Sequence, residues 1–142
     1  MEEINVIMDL AAKFRDAIES MEEVEFSKSS WFSNFPRGCC GDTSELLSKY
    51  FQQNGIKAKY VWGMYGRQSH AWLEYNGYII DITAEQFSGV NQKVIVTKNK
   101  EWYSRFKGQK NHYHDFEIDN DFNKYRLGEL YKNIVSHIKK RE

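Results

Sequence analysis

Amphipathic stripes at both ends of the chain, a run of short β-rich segments between them, and an Asn-Gly pair joining two of those segments predict an α+β fold in which helices flank a small antiparallel sheet. The 142 residues are the length of one domain, and with one Pro, no low-complexity tract and no self-similar period, nothing divides them. Residues 1–142 therefore read as a single domain. Apolar residues form 41% of the chain and aromatics 15%, enough large side-chain area to fill an interior, which excludes a disordered chain.

The elements follow in order. From Glu3 to Met21, the residues Ile7, Leu10, Phe14, Ile18 and Met21 recur at steps of three or four, the stripe of a helix packed on a core. Ser27 to Cys40 is rich in Ser, Asn, Gly and aromatics without a period and is punctuated by Pro36 and Gly38, so it reads as an ordered loop. Asp42 followed by Glu45 has the form of a capping box, Leu46, Leu47, Tyr50 and Phe51 supply an apolar face, and Asn54-Gly55 is a stop. A helix of about ten residues starting just past Cys40 is expected. Three strands follow, Lys57 to Tyr65, Ser69 to Tyr75 and Tyr78 to Thr83, the last two closed by Asn76-Gly77 as a hairpin. Lys93 to Thr97 and Tyr113 to Ile118 are further strand candidates, with a short helix around Trp102 to Phe106. The chain closes on a helix from about Asp121 to Lys139 with Leu127, Leu130, Ile134 and Ile138 on one face.

Twenty basic residues balance twenty acidic ones, and the pI is near 6.9. No global field draws the protein to nucleic acid or to an anionic membrane, so neither is an expected partner. The longest nearly apolar stretches, such as Tyr60 to Tyr65, fall far short of the roughly 20 residues a membrane helix needs, and Met-Glu-Glu is not the opening of a secretory leader. A cytoplasmic protein is expected. The only cysteines are the neighbours Cys39 and Cys40, which can close only a strained ring and are too close together for half of an ordinary zinc site. Reactivity or plain burial remains as their reason. His112 and His114 share a strand face with Asp115 next to them, a spacing some metal sites use, but solvated strand histidines explain them, and no metal or cofactor is expected.

The hairpin supplies geometry. With Asn76 and Gly77 central in the turn, Tyr75 faces Tyr78, Leu73 faces Ile80, Trp72 faces Asp81 and His70 faces Thr83. His70 and Asp81 then share a face as diagonal neighbours roughly 7 to 8 Å apart at the backbone, within mutual reach of their side chains. Cys40, two residues before the expected cap at Asp42, sits where unpaired N–H groups and the helix dipole favour a thiolate. Cys, His and carboxylate are nucleophile, base and orienting group, the set that acyl transfer needs. Each residue alone has an ordinary explanation, a buried thiol or a hydrogen-bonded sheet histidine. Their chain order and shared placement favour an active site.

The stretch FPRGCCGDTSELLSKYF, then SHAWLEYNGYIIDIT, resembles the transglutaminase-like branch of the papain-like cysteine-enzyme superfamily, in which Cys, His and Asp run helix start, strand, next strand. The resemblance covers about residues 31 to 87 and implies a papain-like/transglutaminase-like core, with the Cys-bearing helix packed on the sheet and the terminal helices outside it. It implies Cys40 as nucleophile, His70 as general base and Asp81 as orienting acid, with Cys39 the extra thiol. The Cys-to-His separation of 30 residues is short for the superfamily and implies few insertions. For substrate binding, the Cys40 backbone N–H is one expected oxyanion donor. Asn34 supplies a second or caps a turn, Gln86 faces the cleft or lies in a solvated loop, and Trp31 and Trp62 line a groove or fill the core. The expected activity is thiolate attack on a peptide bond or glutamine carboxamide of a protein or peptide, a thioester, then hydrolysis in preference to transfer. The alternative is an inactive binding module of the same fold that holds a protein partner.

Overall fold

The computed structural model describes residues 2–22, 25, 26, 34–119 and 121–142. In chain order these form helix α1 (Glu3–Ser20), helix α2 (Cys40–Gln53), strands β1 (Lys59–Tyr65), β2 (Gln68–Tyr75), β3 (Tyr78–Asp81), β4 (Ile95–Thr97) and β5 (Lys107–His112), then helices α3 (Phe116–Asp119) and α4 (Asp121–Arg141). Two 3-10 turns, Ala84–Gln86 and Trp102–Arg105, follow β3 and β4. The strands make one antiparallel sheet in the order β4-β3-β2-β1-β5. The class is α+β, as the pattern predicts.

Asn76-Gly77 turns the β2–β3 hairpin, with φ of 49° and 82° at the two residues, the left-handed pair that a twist-matched two-residue turn requires. Tyr75 pairs with Tyr78 and Leu73 with Ile80, the register expected from the turn. Alternation along the strands then makes two faces. Leu73 and Ile80 join Ile7, Phe14, Leu46, Phe51, Leu130 and Ile134 of the helices in the larger core. Val61, Trp72 and Ile79 point the other way and pack with Tyr103 and Phe106 in a smaller one. His70 and Asp81, in step with Trp72 and Ile79, belong to the second face.

Three expectations change. Helix α2 starts at Cys40 rather than after Asp42 and is 14 residues long. The capping box does not form because Asp42 is taken by Arg126 of α4, whose Nη2 donates to Oδ1 at 2.8 Å. Tyr113 to Ile118 is not a strand. The edge strand is Lys107–His112, exposed throughout, and Asp115 starts α3 instead, its Oδ1 accepting the Glu117 N–H at 3.0 Å and its carbonyl the Asp119 N–H at 2.9 Å. The third strand of the hairpin region stops at Asp81, where the chain turns into Ala84–Gln86. The Ser27–Cys40 loop lies outside the described residues up to 33, and from Asn34 it runs through turns into Cys39.

One charged residue holds the layers together. Arg15 lies on the inner side of α1 and is only 3% exposed. Its Nη1 donates to the Ile82 carbonyl at 2.6 Å, its Nε to Glu19 at 2.7 Å, and its Nη2 pairs with Glu85. The guanidinium also lies 4.6 Å from the centre of the Phe35 ring. It thus fixes the chain leaving β3 and the loop ahead of α2 to the same helix. Arg15→Met, similar in length but without donors, should destabilise the protein by about 2 to 4 kcal/mol in denaturant unfolding, because it strands the Ile82 carbonyl and Glu85. Unchanged stability would show that Arg15 is not the tie.

Glu45 of α2 carries a second, pH-dependent stress. Its side chain is 10% exposed, and burial first, then the Asp42 charge, push its carboxyl up from 4.5 to about 7, with Arg126 offsetting in part. Between those values the folded chain keeps a proton that the unfolded chain gives up, so stability falls as pH rises through that window. Glu45→Gln should remove this part of the decline, between roughly 1 and 3 kcal/mol, in unfolding curves measured from pH 4.5 to 7.5.

Candidate active site

The Cys40 side of the candidate site is built by the start of α2. Cys39 is the cap position, its carbonyl accepting the Thr43 N–H at 2.8 Å. Cys40 is the first helical residue, so the free N–H groups of the first turn and the positive end of the dipole lie at its position. The two thiols differ in environment. Cys39 is 2% exposed, its Sγ receives the Thr43 hydroxyl at 3.6 Å, and burial pushes it up to about 12, leaving it a protonated core thiol. Cys40 is half-buried and open to a reactant.

The base side is built by the hairpin. His70 is 0% exposed, and its Nε2 meets Asp81 Oδ2 at 2.6 Å. Cys40 lies close enough to the same ring to raise its proton affinity. Since Nε2 is committed to Asp81, Nδ1 is the nitrogen left for the thiol. Asp81 has every lone-pair direction in use: Tyr103 donates its hydroxyl to Oδ2 at 2.8 Å, and Thr83 gives its N–H to Oδ1 at 2.9 Å and its hydroxyl to the same atom at 3.4 Å. Burial pulls the His70 pKa down, but the Asp81 charge, its hydrogen bond and the Cys40 contact outweigh it and raise the group from 6.5 to about 9. The ring is thus held as an imidazolium at neutral pH.

Aromatic rings enclose this pair. Phe87, Phe106 and Trp72 stand 4.9, 5.4 and 5.5 Å from the His70 ring, centre to centre. Gly63 of β1 lies directly across from His70, and a Cβ there would sit 3.0 Å from that of Phe106 and 3.3 Å from the Lys107 carbonyl. The missing side chain lets Phe106 close over the imidazole. Exclusion of water strengthens each electrostatic contact within.

The other sequence candidates are placed as follows. Gln86, half-buried on the turn after β3, brings Nε2 to 3.4 Å from His70 Nδ1 while donating to the Thr83 carbonyl at 3.1 Å. With Arg37, Gln68 and Ser69 it lines a cavity of about 750 Å³. Asn34 is exposed and opens a turn in which its carbonyl accepts the Arg37 N–H at 2.8 Å. Trp31 lies outside the described residues. Trp62 is half-buried in β1, paired with Ala71. The His112 and His114 rings are 4.2 Å apart, but Asp115 turns away to Lys49 at 3.3 Å, and among the described residues no three His, Cys, Asp or Glu side chains converge as a metal site would need. Tyr103 and Thr83 were not singled out from the sequence. Thr83 carried a signal, two positions past the carboxylate at the end of its strand; Tyr103, 22 residues away, carried none.

The structure therefore gathers Cys40, His70 and Asp81, adds Gln86 beside the imidazole, and leaves Asn34 at the surface. Among the described residues, no helix is long and apolar enough to cross a membrane. No curated protein and no solved structure matched the chain. A family model described as the transglutaminase-like superfamily matches residues 3–105, spanning α1, the Cys-bearing helix and the sheet as far as Arg105. By that match and by its α+β core with Cys40 at the head of α2, the chain belongs to the transglutaminase-like superfamily.

Proposed function

We propose that the protein is a cysteine-dependent enzyme that opens an amide, a peptide bond or a glutamine carboxamide, through a thioester on Cys40 and passes the acyl group to water in preference to an amine. The observation that carries this reading is the buried His70–Asp81 hydrogen bond in an aromatic shell, with Cys40 at the head of α2 near enough to act on the same ring. In the first step the Cys40 sulfur adds to the carbonyl carbon, and the oxyanion is met by the Cys40 backbone N–H at the head of α2. The imidazolium then gives its Nδ1 proton to the departing nitrogen, and the C–N bond breaks to leave the thioester. In the second step the neutral Nδ1 takes a proton from water, whose oxygen attacks the thioester and releases Cys40. Asp81 keeps the ring in the tautomer with hydrogen on Nε2 throughout.

The substrate is a protein or peptide, and the polar wall of Arg37, Gln68, Ser69 and Gln86 suits a chain that brings its own donors and acceptors. A cytoplasmic setting keeps both thiols reduced. The rival reading is a binding module of the same fold. The observation on its side is the complete burial of His70.

Iodoacetamide alkylation against pH, resolved by site with mass spectrometry, separates the two readings. An enzyme should show Cys40 reacting well below the pH of a free thiol, near 8.5, with Cys39 inert and the advantage lost in His70→Ala. Ordinary titration of Cys40 in both proteins would move the reading to the binding module. Asp81→Asn should keep the fold, because Oδ1 can still accept from Thr83, yet slow acylation by an activated ester at least roughly 100-fold through a misoriented imidazole. Loss of folding would instead make Asp81 a structural residue. Among active preparations, ammonia released without chain cleavage identifies deamidation, and new N-termini identify proteolysis.

A further inference from the structure

We propose that Tyr103 is a positioning residue of this site: by donating its hydroxyl to Asp81 Oδ2, it sets how strongly that carboxylate holds the proton on His70 Nε2. The inference rests on the reading of Cys40, His70 and Asp81 as a working site and adds a fourth side chain to it.

Oδ2 is shared by two donors, His70 Nε2 at 2.6 Å and the Tyr103 hydroxyl at 2.8 Å. Sharing divides the charge of that oxygen, so each donor weakens the other's bond. Tyr103 cannot swing away. It is 3% exposed, packed with Val61, Trp72, Ile79 and Phe106, and its ring lies nearly parallel to that of His70 at 6.4 Å. Burial and the Asp81 charge push its phenol up, so it remains a donor at any working pH. Oδ1 is held separately by Thr83, which means the carboxylate keeps its place when the Tyr103 bond is altered.

Among the described residues, the titratable groups facing His70 are Cys40 from α2, Asp81 from β3 and Tyr103 from the Trp102–Arg105 turn, while the uncharged Gln86, Trp72, Phe87, Trp102 and Phe106 stand around the rest of the ring. Cys40 is the group that the proposed reaction consumes and restores, and Asp81 is the acceptor that His70 and Tyr103 share. Tyr103 is the fixed group through which the proton affinity of His70 is adjusted. A phenylalanine would fill the same space, so packing alone does not account for the hydroxyl.

The test alters the donor in both directions on the full-length protein. Tyr103→Phe removes it, and site-specific 3,5-difluorotyrosine at position 103 strengthens it while keeping the ring. The readout is the titration midpoint of the His70 ring by nitrogen-15 NMR, assigned through His70→Ala, alongside Cys40 alkylation. Tyr103→Phe should move the midpoint up by about 0.5 to 1 pH unit, and the fluorinated residue should move it down. In the Asp81→Asn background Tyr103→Phe should add no further shift, since the effect runs through the carboxylate. An unmoved midpoint in both single variants, or a shift that survives in Asp81→Asn, would overturn the proposal. Should Tyr103→Phe fail to fold, the fluorinated protein decides by itself. A midpoint that moves while Cys40 shows no His70-dependent reactivity would retain Tyr103 as the tuner of the imidazole and reject the enzyme; His70-dependent reactivity with an unmoved midpoint would do the reverse.

Discussion

The structure is organised around one costly interaction, the buried contact between His70 and Asp81. Taking a carboxylate and an imidazolium out of water carries a desolvation penalty of several kcal/mol per ion, and their attraction offsets it only if the remaining lone pairs and protons are also satisfied. Asp81 meets that condition with donors from His70, Tyr103 and Thr83. These come from β2, from the turn after β4 and from the carboxylate's own strand end, so the sheet cannot be assembled in a different order without stranding the charge. A pair that serves only stability is commonly replaceable by apolar residues at no loss. Its place in the middle of an aromatic cluster, near Cys40, is the placement that the proposed chemistry requires.

Support for the pair reaches outward through Arg15. The guanidinium binds the Ile82 carbonyl, one residue past Asp81, and Glu85, one residue before Gln86. It also lies against Phe35 in the approach to Cys40. Both halves of the site, the chain leaving β3 and the loop entering α2, are thus referred to one point on α1. This gives α1 a part in positioning the chemistry, and it is in accord with the family match beginning at residue 3 rather than at the Cys-bearing helix.

What the sequence reveals and what it conceals follow from the range of each interaction. The β2–β3 register was legible because Asn76-Gly77 fixes it locally, and with it came the shared face of His70 and Asp81. Helices α1 and α4 were legible because their stripes face a single core. The start of α2 beside Cys40 was legible, but its cap was misassigned because Asp42, a good cap by local rules, is claimed by Arg126, 84 residues away on α4. Strand β5 was missed because Lys-Gly-Gln-Lys-Asn-His has no apolar alternation; it is a solvated edge strand paired with β1. Arg15 and Tyr103 were invisible for the same reason as the Asp42 pairing. A charge on a helix or a tyrosine in a turn shows its importance only when its distant partner is known.

The doubled cysteine shows how one residue of offset decides chemistry. Successive positions at a helix start point about 100° apart, so two neighbouring thiols cannot share an environment. Cys39 turns inward, where burial in the core holds it protonated although the Thr43 hydroxyl, donating to its sulfur, acts the other way. Cys40 turns towards His70 and stays half-open. Only a thiolate attacks carbon at a useful rate, so burial would keep Cys39 from competing for acyl groups although it is covalently next to the proposed nucleophile. The same divergence, together with the strain of a vicinal disulfide, keeps the pair from closing on itself. Adjacent cysteines here amount to one half-open sulfur and one packing atom, and the helix start at Cys40, with Cys39 as its cap, is what separates them.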